Sequence, residues 1–242
     1  MSDAQAVAAL ARAAEKEFGK IDVWVNNVGV GALGFFWEIP IEDYSRLIDV
    51  NLKGLIYGSH EALRRFIAQG YGNIVNVGSI DSEVPLAYQA VYASTKAAVL
   101  SLSRSINQEL RLAKYDKIKV GTIMPWAVDT PWWIHAANYT GHAPRMAMMN
   151  DPQIVIDAIV AACGNPKEEQ PVGPIAQASN ISHHLMPDMT ERLSANIAHR
   201  EVHKAVAESP HTGAIYEPMN DGLRIDGGIR DRMKKEDAAQ GT

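Results

Sequence analysis

The fold is decided by residues 73–125, where NIVNVGS (73–79) and IKVGTIMP (118–125) bracket VYASTKAAVLSLSRSINQELRLAKY (91–115). The two flanking runs are apolar and β-branched, the pattern of strands buried on both faces, and the segment between them has helical length and periodicity. A strand, a long helix and a second strand in that order form a parallel pair with a crossover helix.

Upstream the same rhythm continues. IDVWVNNV (21–28) reads as another doubly buried strand, and a helix runs from about Ile41, opened by Pro40, to Gln69, closed by Gly70. The chain opens on a helix capped by Ser2 or Asp3, with Val7, Leu10, Ala14 and Phe18 on one face and Gly19 at its end. Downstream, 131–150 is aromatic and Met-rich and reads as a loop with short helical pieces. DPQIVIDAIVAACG is a helix with Pro152 in its first turn, PVGPI a short strand, and 188–208 a helix. The expected class is α/β, a Rossmann-like doubly wound parallel sheet in one domain over 1–230, with 131–210 as substrate lid and C-terminal helices and 231–242 as a flexible tail.

The chain of 242 residues is 47% hydrophobic and 21% charged, with a net charge of -5. That balance argues against a nucleic-acid surface or a polybasic membrane anchor and points to a small-molecule partner. The single cysteine, Cys163, cannot form an internal disulfide, which fits a cytoplasmic location. No apolar run has membrane-spanning length. His183 with His184 and His199 with His203 have ligand-like spacing, but no third ligand accompanies them and no metal is expected.

Gly29, Gly31 and Gly34 match the G-x-G-x-x-G dinucleotide pattern. Their context argues against it, because Pro40 follows too soon for the crossover helix, and what comes after is helical rather than a strand. They are expected to form a flexible strand-to-helix loop.

Tyr92 and Lys96 lie four apart and so share a helix face. A neighbouring ammonium favours the phenolate and lowers the pKa of a phenol, making the pair a tunable acid and base. Thirteen residues upstream, Ser79 stands at the C-terminal end of its strand, where open α/β sheets bind ligands. Ser82 competes for the role, but falls later in the loop.

Taken in order, NNVG (26–29), Asn51 in VNLKG, Ser79, YASTK (92–96) and MPWAVDTP (124–131) resemble the motifs of the short-chain dehydrogenase/reductase family over about Val7 to Pro131. The resemblance implies hydride transfer between the nicotinamide of NAD or NADP and a carbonyl or alcohol. Tyr92 would pass the proton, Lys96 would lower its pKa and hold the nicotinamide ribose, and Ser79 would orient the substrate oxygen. Asn51 would support a water linking Lys96 to solvent, or merely shape a kink. The cofactor would further meet Asn26, Val28, Gly29, Pro125 and Thr130, with Asn26 alternatively tying strands together. A homodimer or homotetramer is implied.

Two departures stand out. The family's opening strand and Thr-Gly-x-x-x-Gly-x-Gly turn are not in this sequence, so roughly 60 residues are expected to be missing at the N-terminus, and the strand at 21–28 is expected to have an open edge. Trp126 stands where the family has glycine, and together with Trp132, Trp133, Tyr139, Met146, Met148 and Met149 it is expected near an apolar substrate pocket. A truncated binding or dimerising module is the alternative to an enzyme, and an epimerase or dehydratase is disfavoured by the short C-terminal part.

Overall fold

The computed structural model describes residues 2–239. Helix α1 (Ala4–Phe18) is capped by the Asp3 carboxylate, which accepts from the backbone of Gln5 and Ala6, and Gly19 ends it at φ 79°. Strand β1 spans Val23–Asn26, β2 Ala32–Leu33, and helix α2 Ile41–Ile48. A single π-helical turn, Asp49–Lys53, then leads into α3 (Gly54–Gln69). Strand β3 (Gly72–Val77), helix α4 (Ala90–Leu112) and strand β4 (Ile118–Pro125) form the central crossover unit. Next come α5 (Trp132–His135), β5 (Ala137–Asn138), α6 (Pro152–Gly164), β6 (Glu169–Val172), α7 (Pro174–Leu185), α8 (Pro187–Lys204) and α9 (Ile229–Ala239).

The main sheet is parallel throughout in the order β1-β3-β4-β6, registered through Val25 on Val75, Ile74 on Val120 and Met124 on Pro171. Side chains alternate across it. Ile74, Ile118 and Val120 pack under α1, α3 and α4 with Val7, Ala11, Phe66 and Ile106. Val75, Ile123 and Val172 face the other way, onto Val155 and Ala162 of α6. Helices on both faces make the sheet doubly wound, as the alternation of strands and helices predicts. Among the described residues, no helix is long and apolar enough to cross a membrane.

Several local expectations are corrected. On α1 the buried face is Val7 and Ala11, while Leu10 and Phe18 are exposed, because α3 meets α1 along a narrower stripe than the sequence face. Strand β1 is not buried on both faces: Val23 packs against the cluster that holds Val155 and Ala162 of α6, but Val25 is 40% exposed. The glycine segment is no flexible loop. Ala32 and Leu33 pair in parallel with Ala137 and Asn138, and the Gly34 amide is bonded to the Tyr88 carbonyl, so the segment is stitched to the lid.

At the C-terminal side, Gly173 turns at φ 87° and Pro174 starts α7, a helix that the reading of PVGPI as a strand had hidden. The stretch from 231 is not a flexible tail: Asp231 to Ala239 belong to α9, and 240–242 lie outside the described residues. Its charges are what fooled the composition argument. Arg145, 4% exposed, bonds to Glu201, Glu236 and Asp237 at 2.8–2.9 Å and so ties α9 and α8 to the lid.

Candidate active site

Tyr92 and Lys96 sit in the first two turns of α4, aimed at the C-terminal end of β3. The Lys96 ammonium is buried, donates to the Val77 carbonyl at 2.8 Å, and lies 5.6 Å from the centre of the Tyr92 ring. Ser79 follows β3 by two residues; its Oγ accepts the Asp81 amide at 3.1 Å, and its hydroxyl is hydrogen-bonded with the Tyr92 phenol. Ser82 is the structural serine of the pair: its Oγ donates to the carbonyl of Lys96 at 2.9 Å.

Electrostatics in this arrangement differ from the simple pair. Burial pushes the Tyr92 phenol above its ordinary value, the Asp81 carboxylate adds to that, and the Ser79 hydroxyl opposes it. Burial also lowers Lys96 to about 8, against the pull of Asp81. Tyr92 is thus raised rather than lowered, with Ser79 and not Lys96 as the group that opposes the rise.

Asn51 is placed by the π turn. One extra residue per turn there rotates its side chain inward, to accept from the Val30 amide at 2.8 Å and donate to the Val30 carbonyl at 2.9 Å and to Thr95 Oγ1 at 3.2 Å. It fastens the wall that contains Gly29 and Gly31. A Cβ on Gly29 would stand 3.5 Å from Lys96 Nζ, so this wall runs directly over the lysine.

Asn26 lies elsewhere. Its amide accepts from Trp24 Nε1 and donates to Ser59 and Asn76, joining β1 to α3 and β3, and it does not line the cavity. Val28 is 54% exposed and also stays off the cavity wall. Gly29, Ser79, Tyr92, Lys96, Pro125 and Thr130 do meet there, around a cavity of about 580 Å³.

Of the expected apolar lining, Trp126, Trp132, Trp133 and Met146 reach the cavity. Trp126 is held by a bond from its Nε1 to the Ala147 carbonyl at 3.0 Å, and Trp132 packs 5.1 Å from the Tyr92 ring. Tyr139 instead donates to Asp43 at 2.5 Å, Met148 is exposed, and Met149 joins the core. Met149 and Met148 belong to the lid's own packing and surface. His199 and His203 lie with ring centres 4.2 Å apart and planes tilted by 51°, and the Tyr88 hydroxyl is 2.5 Å from His199 Nδ1.

Two acidic residues that sequence reasoning passed over matter here. Asp81 lines the cavity at 3% exposure; the signal was its position, two residues after Ser79 in a strand-end loop. Asp129, beside Thr130, caps α9 by accepting the amides of Ile229 and Arg230 at 2.8 and 3.2 Å. That contact spans a hundred residues and leaves no local pattern.

Residues 1–138 match the short chain dehydrogenase family. The chain is 32% identical over 212 residues to the uncharacterized oxidoreductase YxnA of Bacillus subtilis, covering 86% of this chain and 59% of that protein. It is 34% identical over 197 residues to the probable oxidoreductase EphD of Mycobacterium tuberculosis, covering 74% of this chain and 32% of EphD. It thus spans under two thirds of the length of these relatives. Among solved structures, a short chain dehydrogenase of Burkholderia cenocepacia, in complex with NADP, shares the fold at TM-score 0.67 and 22% identity, over 80% of this chain and 75% of that one. An alcohol dehydrogenase of Thermococcus sibiricus, complexed with 5-hydroxy-NADP, aligns at TM-score 0.56 and 25% identity, over 70% and 68%. The matched segment carries the site from Gly29 to Thr130, and the chain belongs to the short chain dehydrogenase family.

Proposed function

We propose that the chain is the catalytic part of an NAD- or NADP-dependent oxidoreductase that interconverts a small carbonyl compound and its alcohol. The observation that carries this reading is the meeting of Tyr92, Lys96 and Ser79 on one cavity wall at the C-terminal end of β3. The solved relatives that hold NADP and 5-hydroxy-NADP support the choice of cofactor class.

The residues present fit such a cofactor. An ammonium has three donors, and Lys96 uses one on Val77, so the remaining donors face the cavity beside the Tyr92 hydroxyl, a donor set suited to a ribose diol. The bound nicotinamide supplies or accepts the hydride. Ser79 donates to the substrate oxygen and holds it against Tyr92. In the reducing direction Tyr92 would give its proton to the carbonyl oxygen, and the Lys96 ammonium would stabilise the phenolate that remains. Burial keeps the phenol protonated but opposes its release of the proton, a cost that stabilisation of the phenolate must offset. In the oxidising direction the same groups run in reverse, with the alcohol proton passing to the phenolate.

The test follows nicotinamide absorbance with NAD, NADP and their reduced forms against a panel of aryl and alkyl ketones and secondary alcohols. Turnover is expected, with Tyr92→Phe lowering kcat/KM by about 10²- to 10⁴-fold while dinucleotide binding persists. Dinucleotide binding without turnover of any member, or a Tyr92→Phe enzyme as fast as the parent, would sink the reading.

A further inference from the structure

Asp81 is the one acidic side chain in the cavity wall that the proposed reaction does not use. It occupies the single turn Ile80–Ser82 between β3 and the loop to α4, two residues from Ser79. The residue is 3% exposed, yet it lines the cavity. Its backbone amide is spent on Ser79 Oγ, while its carboxyl makes no hydrogen bond to any described residue. The charged and titratable groups that act on it are Lys96 and Tyr92, and Lys96 has already committed a donor to Val77.

A largely desolvated carboxyl that accepts no hydrogen bond is costly, and the charge of Lys96 offsets only part of that cost. Lys96 is the charged neighbour on the same wall, and no lining side chain donates a hydrogen bond to the carboxyl, while Leu86, Trp126, Met146 and Val155 supply much of the apolar lining. Such a group is retained at least cost where a ligand supplies the missing donor. Here the ligand's reacting oxygen is fixed by Ser79 and Tyr92, so the donor must sit close to the reacting carbon and on the Asp81 side.

We infer that Asp81 is a specificity-determining residue that binds a hydrogen-bond donor, a hydroxyl or an ammonium, on the carbon next to the reacting carbinol or carbonyl carbon of an otherwise apolar substrate. This rests on the oxidoreductase reading for the placement of the reacting oxygen. It also explains a conflict within the site. An ionised Asp81 disfavours the phenolate that Tyr92 becomes on releasing its proton, and a donor on the substrate screens that charge when the substrate is in place.

Three compounds that share one carbinol centre test it: methyl phenyl carbinol, phenylethylene glycol and phenylethanolamine carry hydrogen, hydroxyl or ammonium on the adjacent carbon. With the preferred dinucleotide, the protein is expected to favour the glycol or the ethanolamine over the plain carbinol by at least about tenfold in kcat/KM, the range of a hydrogen bond to a charged group. In Asp81→Ala the ratio should collapse to within about twofold. In Asp81→Asn, which keeps polarity and shape should the alanine variant fail to fold, the preference for ammonium should vanish. Equal rates for all three in the parent protein, or a ratio unchanged in Asp81→Ala, would overturn the inference. If none of the three is turned over with either dinucleotide, the oxidoreductase reading is decided by the wider panel, and calorimetric binding of phenylethanolamine decides about Asp81. Tighter binding than the carbinol in the parent, lost in Asp81→Ala, supports the donor site, and equal binding refutes it.

Discussion

Asn51 holds the backbone of Val30 at both ends, accepting its amide at 2.8 Å and donating to its carbonyl at 2.9 Å. The side chain thereby replaces a strand partner for the segment over Lys96, and it reaches there only because the helix runs through a π turn at Asp49–Lys53. Asn51→Ala would leave two polar backbone groups unpaired next to the cavity. We expect a loss of about 2 kcal/mol in stability, read from urea unfolding, and weakened dinucleotide binding. An Asn51→Ala protein with parental stability and affinity would show that the latch is idle.

Arg145 is surrounded by Glu201, Glu236 and Asp237, with Arg232 3.3 Å from Glu236. Removing one member of a buried ionic group strands the rest. Arg145→Met should cost about 3 to 5 kcal/mol and release α9, so that limited proteolysis cuts near residues 229–239 before the core unfolds. Uniform resistance of that segment would count against the clasp.

Asp129 links the cavity wall to α9 through the Ile229 and Arg230 amides and an ion pair to Arg230 at 3.1 Å. Asp129→Ala removes a helix cap, at about 1 to 2 kcal/mol. Because Thr130 is the next residue in the wall, the same change should weaken cofactor binding, whereas Arg230→Ala should lower stability and leave binding nearly intact. Equal binding losses in the two variants would refute this separation.

Burial raises the Asp81 carboxyl to about 7 from an ordinary value of 3.8, with the Lys96 charge opposing the shift. Between those values the folded protein holds a proton that the unfolded chain has released. Its contribution is therefore fully present below about pH 4 and lost as pH rises through 7. At 1.4 kcal/mol per unit, the loss is at most about 4 kcal/mol. Asp81→Asn should flatten this decline in urea midpoints between pH 4 and 7, and a parallel pH profile in the variant would dismiss Asp81 as its source.

Strand β1 pairs only with β3 among the described residues, and Val25 is exposed at that edge. An open apolar edge recruits other chains. This 242-residue polypeptide, made by itself, is expected to self-associate at micromolar concentration, and Val25→Lys to reduce light scattering. A sharp, concentration-independent melt of the parent as a monomer would contradict it.

What the sequence determined by itself was local in origin. The apolar, β-branched runs at 73–79 and 118–125 and the helical length and periodicity between them are properties of neighbouring residues, and they placed β3, α4 and β4. Tyr92 and Lys96 were legible because four residues make a helical turn, and Ser79 because strand ends in α/β sheets face ligands. The weak points were those where local signals conflict with distant partners. Asp231 and the charges after it read as a solvated tail, and only Arg145, ninety residues away, makes them the anchor of a helix. Gly31 and Gly34 read as a loose loop until the lid supplied Ala137 to pair with Ala32. Asn26 had two readings of equal local merit, and the buried neighbours Ser59 and Asn76 settled which bonds its amide makes. Asp81 carried no signal beyond its place in a loop; that its carboxyl is buried on the wall it shares with Tyr92 is a product of packing α4 against the turn Ile80–Ser82 that follows β3. Periodicity and spacing act over a few residues, whereas the energy of a buried charge depends on everything around it, and that is fixed only when the chain has closed on itself.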